Sequence, residues 1–137
     1  MTLVTSDDNI EVLRKFFAAT AQGDFATTWA FDPQVEYARI ASDDPGTNVE
    51  CRGLDEMWAA HLQWIGAWEN LRFEAERFIE LGDRVIVLTR QTGRGKRSGV
   101  PLDHEQGELF TLRHGKIVRW ESYWDRAEAM KAAGLEE

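Results

Sequence analysis

The chain of 137 residues has a single cysteine, Cys51, so it can close no internal disulfide and offers no Cys-x-x-Cys pair for redox or zinc chemistry. The expectation is a reducing, cytoplasmic setting in which Cys51 is an ordinary half-buried thiol rather than a nucleophile. Basic residues are also in deficit: 16 Lys plus Arg stand against 24 Asp plus Glu, a formal charge of -8. Such a surface repels phosphate backbones and anionic lipid headgroups, which argues against nucleic-acid and membrane partners. No apolar run approaches the ~18 residues that cross a bilayer. The opening Met1 to Asp8 carries no basic stretch ahead of an apolar one, so no targeting segment is expected there. Two motifs are missing as well. His104-Glu105 does not continue into His-Glu-x-x-His, and the basic run Arg90, Arg94, Lys96 and Arg97 lacks the Gly-x-x-x-x-Gly-Lys-Ser/Thr pattern of a phosphate loop. Neither a metal nor a cofactor is therefore expected. Internal repeats and low-complexity segments are absent too.

What the chain does have is the balance of one globular domain, 43% hydrophobic and 29% charged, spanning 1–137 with an ordered core of about 6–135. At this length folding buries roughly two-thirds of the surface of the unfolded chain, enough for a core with an internal pocket. Ser6 can cap a first helix with Asp7 and Asp8 in its first turn and Ile10, Leu13, Phe16 and Phe17 on its buried stripe, stopped at Gln22-Gly23. Asp24 starts a second short helix with Phe25, Thr28 and Trp29, ending before Asp32-Pro33. Gln34 to Ile40 alternates, with Val35, Tyr37 and Arg39 on one face, and leads into the turn-rich run Ser42 to Gly46. Leu54, Trp58, His61, Ile65 and Trp68 mark a third helix.

After it the pattern changes to strands: Phe73 to Glu80, the turn Leu81 to Arg84, the apolar Val85 to Leu88, a long strand from the glycine-rich 93–99 segment to Leu112, and Lys116 to Trp124. Gly93, Gly95, Gly99 and Gly107 are candidate bends in this meander, the first three equally hairpin tips. Asp125 to Glu128 has the form of a capping box for a closing helix that Gly134 stops. The fold class is α+β: a strongly curved, mainly antiparallel sheet with three helices from the N-terminal half on its concave face and a short C-terminal helix.

Phe16-Phe17-Ala18-Ala19 with Gly23-Asp24-Phe25, and then Phe110 to Trp120, Tyr123-Trp124-Asp125 and Glu128-Ala129 through Gly134-Leu135, resemble the nuclear transport factor 2-like superfamily, especially its SnoaL-like members. The resemblance runs from about Asp8 to Leu135. It implies a cone-shaped sheet around a hydrophobic cavity and a family whose chemistry ranges from ketosteroid isomerase and polyketide cyclases to binders without activity. Alignment to ketosteroid isomerase puts Phe16 at its oxyanion-hole tyrosine, Tyr37 at its aspartate base and Glu108 at its protonated acid. Alignment to limonene epoxide hydrolase puts Arg90 at its arginine but Thr92 and Ser122 at its two aspartates. Neither particular reaction is implied, because most of the reacting groups are replaced.

With that cavity, the period-two alternation of His104, Gln106, Glu108, Phe110 and Leu112 turns Glu108 inward, where desolvation raises a carboxyl pKa and prepares it to carry a proton. The competing role for Glu108 is a carboxylate at the cavity mouth paired with an arginine such as Arg90. His61 and Tyr37 are the other candidate catalytic groups, each equally able to be a satisfied core residue. Trp29, Trp58, Arg90, His104, Phe110, Trp120, Ser122 and Trp124 are the candidate substrate-binding residues, with Ser122 a small polar gap between two indoles. The expected partner is a small hydrophobic, cyclic molecule, taken either by an isomerase, cyclase, dehydratase or hydrolase without cofactor or by a binding protein without activity. A homodimer through the outer sheet face is expected in both cases, Val85 to Leu88 feeding both faces.

Overall fold

The computed structural model describes residues 6–41 and 48–135. The expected cap and first-turn side chains of Ser6, Asp7 and Asp8, and the expected turn Ser42 to Gly46, lie outside what is described. Helix α1 (Ser6–Thr20) buries Ile10, Leu13, Phe16 and Phe17, as its apolar spacing requires, and Gly23 ends the segment at φ 82°, a conformation that favours glycine. Its last residue, Thr20, is buried and its hydroxyl donates to the Phe73 carbonyl at 2.6 Å, fastening the helix to the sheet.

The expected second helix is instead one 3-10 turn, Thr28–Ala30. Asp24 satisfies the Ala26 N–H at 3.0 Å and so closes a local turn, and too few residues remain before the extended Phe31 to propagate a helix. Strand β1 (Phe31–Ile40) is followed by β2 (Val49–Arg52), a strand absent from the sequence expectation, whose four residues alternate half-buried and exposed. Helix α2 (Leu54–Ile65) stops three residues short of Trp68, because Trp68 opens β3 (Trp68–Leu81) opposite Gly95. Strands β4 (Arg84–Gly95), β5 (Pro101–Arg113) and β6 (Lys116–Tyr123) complete the expected meander, and α3 (Arg126–Ala132) closes it. The concave face thus carries two helices and a turn rather than three helices.

The six strands form one curved, open sheet in the order β2-β1-β6-β5-β4-β3, antiparallel except where β1 runs parallel to β6. Its two faces have separate cores. Val35, Val87, Phe110 and Trp120 pack on the inner face against Phe16 of α1 and Met57 of α2, whereas Ile86, Leu109 and Tyr123 pack on the outer face beneath Ala129 and Ala133 of α3. Of the four proposed glycines Gly93 faces a bend, standing on β4 opposite the shift between Glu69 and Arg72, whereas Gly107 lies in regular register. Register shifts lie between Glu69 and Arg72, where Asn70 takes φ 55°, between Ala75 and Arg77, between Phe31 and Glu36, and at Thr111/Leu112. Gly107 serves a different purpose: a Cβ there would collide with the Ala129 methyl, so its hydrogen lets α3 lie on the sheet. No helix among the described residues is long and apolar enough to cross a membrane.

Candidate functional site

A cavity of about 450 Å³ opens between the inner sheet face and the two N-terminal-half helices. Phe16, Phe31, Phe73 and Tyr37 gather around the Trp120 indole at centroid distances of 5.0 to 6.4 Å, and all five rings line the cavity. Four of the six tryptophans, Trp58, Trp64, Trp120 and Trp124, line it. A volume of this size falls in the range of sites that enclose a small organic ligand.

Glu108 is on the wall and has no solvent exposure. Register explains its surroundings: on β5 it pairs with Val87 and Ser122, so Thr89 on β4 and Trp120 on β6 stand one step along the inner face. The Thr89 hydroxyl and the Gln106 amide each donate to Oε2 at 3.0 Å, and the Trp120 Nε1–H donates to Oε1 at 3.1 Å. Burial drives the carboxyl pKa above its usual value, while the bonds from Ser122, Gln106, Thr89 and Trp120 oppose the rise without cancelling it. The result is a buried carboxyl held in one orientation, with its proton affinity raised.

The donors are themselves held. Trp64 Nε1 on α2 donates to Gln91 Oε1 at 2.8 Å, Gln91 Nε2 donates to Gln106 Oε1 at 2.6 Å, and Gln106 Nε2 donates to Glu108. Every bond in this chain points toward the carboxyl, so each amide orientation is dictated by the preceding one. His61 and Tyr37 flank Trp120 from the other side, their rings 4.6 Å apart. Burial pushes the His61 pKa down to about 4, so the ring is neutral near pH 7. Its Nδ1 lies 2.7 Å from the Met57 carbonyl and must carry the proton, which leaves Nε2 as an acceptor. Burial raises the Tyr37 phenol to about 12, so it remains a donor. Its oxygen accepts from Arg39 Nε at 3.1 Å.

The structure therefore brings Glu108, His61, Tyr37, Trp58, Trp120, Ser122 and Trp124 to one cavity. Four sequence candidates lie elsewhere. Arg90 does not reach the cavity, because Thr89 and Gln91 face inward and their neighbour must face outward, where it pairs with Asp103 at 2.6 and 2.7 Å. Trp29, on the 3-10 turn, is 45% exposed, and its carbonyl accepts from Lys116 Nζ. His104 stacks on Trp124 at 3.5 Å and donates from Nε2 to the Trp124 carbonyl, backing a cavity residue without lining the cavity. Phe110 is wholly buried in the core beside Phe16, Phe17 and Trp120.

Arg39, Trp64, Gln91 and Gln106 line the cavity and were not singled out from sequence. For Arg39 and Gln106 the strand alternation that exposed Tyr37 and Glu108 carried the same signal. Among the described residues no three His, Cys, Asp or Glu side chains are grouped to hold a metal ion.

Residues 13–120 match the SnoaL-like domain. No curated protein matches the sequence. Among solved structures, a protein provisionally named a SnoaL-like polyketide cyclase, from Jannaschia sp. CCS1, is 19% identical over 100% of this chain and 98% of its own, with a TM-score of 0.74. A provisionally named isomerase from Bacillus subtilis is 23% identical over 96% of each chain, with a TM-score of 0.71. TerC, co-crystallised with polyporic acid, is 21% identical over 93% of this chain and 98% of its own, with a TM-score of 0.71. At these identities the likeness is one of fold.

Proposed function

Because the chain belongs to the SnoaL-like domain family, we propose that it binds a small, apolar, cyclic molecule in the aromatic cavity and transforms it by acid–base chemistry without a cofactor. The carrying observation is the fully buried Glu108 carboxyl on the cavity wall, its pKa raised by burial. Glu108 gives a proton to one atom of the ligand and takes one from another, the net change being an isomerisation, cyclisation, dehydration or hydrolysis. The Tyr37 hydroxyl donates to a ligand oxygen, His61 Nε2 accepts from a ligand hydroxyl, and the surrounding rings exclude water, which strengthens both contacts.

The test begins with tryptophan fluorescence titrated against polycyclic ketones, phenols and epoxides, since a ligand in this cavity touches several indoles. With a substrate found, Glu108→Gln is expected to bind it within a few-fold of the parent and to lose about 10²- to 10⁴-fold in kcat. Glu108→Asp, which withdraws the carboxyl by one methylene, serves as the second variant, because the amide introduced by Glu108→Gln must set its NH₂ against a protein donor on one side, Trp120 Nε1–H or those of Thr89 and Gln106. Full turnover in both variants would sink the proton-carrying role.

One observation favours a second reading, a binding protein without activity. Three fixed side-chain donors, from Thr89, Gln106 and Trp120, already cover both Glu108 oxygens, which is how a structural carboxyl is satisfied. Saturable binding with no turnover of any bound compound decides for it. Either reading includes a homodimer through the outer sheet face, where Ile79 and Leu88 are half-buried at the margin of the α3 core. Light scattering that gives a monomer mass at high concentration removes the dimer. A cytoplasmic location accompanies both, resting on the single unpaired Cys51.

A further inference from the structure

We infer that Arg39 and the Tyr37 hydroxyl form an anion-recognising subsite in the cavity wall, so that the ligand is a cyclic, largely apolar molecule bearing one carboxylate or comparable anionic oxygen group. The inference rests on the cavity being the ligand site and goes beyond that reading by fixing the ligand's charge. Arg39 follows Tyr37 by two residues on β1, so both side chains leave the inner face, and both line the cavity.

The guanidinium there is unusually placed. Arg90, Arg119 and Arg126 each meet a carboxylate, at 2.6 to 3.2 Å. Arg39 makes no ion pair among the described residues. Its Nε donates to the Tyr37 oxygen, and its two terminal nitrogens have no hydrogen-bond partner among those residues. Its other neighbours are π-faces, the Tyr37 and Trp64 rings, each 5.7 Å from the guanidinium carbon to the ring centroid. A half-buried cation facing aromatic rings recovers only part of the hydration that it gives up. A planar fork of free N–H donors is the shape that two oxygens of a carboxylate fill.

Tyr37 adds a further donor. Its oxygen already accepts from Arg39, so its own proton is directed to another acceptor, and burial keeps that proton in place. The neighbouring titratable groups do not oppose an anion: His61 is neutral near pH 7, and burial disfavours charge on Glu108. With a net charge of -8, the protein as a whole does not attract anions, so any preference for one must come from this cation.

The test compares 2-naphthoate with its neutral counterpart 2-naphthamide by tryptophan fluorescence, with circular dichroism to show that each variant is folded. The parent protein is expected to bind the carboxylate about ten-fold or more tightly than the amide. Arg39→Gln should abolish that preference, and Arg39→Lys should keep part of it. Equal affinity for the two probes in the parent protein, a result that needs no variant, overturns the subsite and leaves the cavity reading standing. A preference that survives in folded Arg39→Gln also overturns it. Binding of neither probe overturns both the subsite and the cavity reading.

Discussion

Glu108 and His61 are displaced in opposite directions by the same cause, removal from water, and their pH signatures oppose each other. His61 has a folded value of about 4 against an ordinary 6.5, so between those values the unfolded chain binds the proton and the native ring does not. Its contribution is complete above pH 6.5 and is lost as pH falls toward 4. Glu108, raised on folding, contributes most at low pH and loses that contribution as pH rises through its folded value. His61→Gln separates the two: urea unfolding from pH 7 to pH 4 should show the parent losing on the order of 1–3 kcal/mol relative to the variant. A constant difference across that range would show that His61 is not held neutral. Trp120→Phe tests the carboxyl itself. Deleting the Nε1–H removes a bond that favours the ionised form, so the Glu108 pKa should climb further, read from its carboxyl carbon resonance in an NMR titration. Alternation alone was enough to turn Glu108 inward. It did not reveal the donors, because Thr89 and Trp120 belong to other strands and reach Glu108 only through inter-strand register.

Among the elements, α3 shows how one backbone position governs a contact. Gly107 pairs regularly with Leu88 and Tyr123, so it is no bend, and the helix lies where its missing side chain would be. Gly107→Val is expected to cost about 1–3 kcal/mol in chemical denaturation by lifting α3 off the outer core. The helix is capped by Asp125, which accepts from the Ala127 N–H at 2.8 Å, but the reciprocal Glu128 bond of the expected capping box does not form among the described residues; Asp125→Ala should cost roughly 1 kcal/mol. Neither change touches the cavity, so ligand affinity should stay near the parent value. The elements legible in the sequence were those with a sustained period, α1, β1, α2 and the four-strand meander, and α3, which has start and stop signals. The four-residue β2 has neither, and its strand character comes from pairing with β1 through Tyr37↔Cys51 rather than from a pattern of its own.

For the molecule as a whole, the open curved sheet separates stability from function by face. The outer core packs on α3, whereas the inner core leaves a volume of about 450 Å³ unfilled by the chain. A ligand that fills it binds the native state alone. At 100 times its dissociation constant it should therefore add about 2.7 kcal/mol and raise the melting temperature by several degrees, measured by calorimetry. A probe that quenches fluorescence without moving the transition would be bound outside the folded cavity. Ser122→Leu, which fills the gap between Trp120 and Trp124, should abolish that shift while the variant remains folded.

The sequence by itself determined the fold class, the strand order of the meander, the inward turn of Tyr37 and Glu108, and an acidic surface unsuited to nucleic acid. These follow from period, turn chemistry and charge, which are local or additive properties. Tertiary structure decided which inward residues share the cavity. It placed Arg39, Trp64 and the two glutamines Gln91 and Gln106 in the same cavity as Glu108, sent Arg90 to the opposite face with Asp103, and moved Phe110 behind the wall. Those outcomes depend on register across four strands and on where α2 crosses them. Register arises from contacts between residues far apart in the chain, and no local pattern contains it.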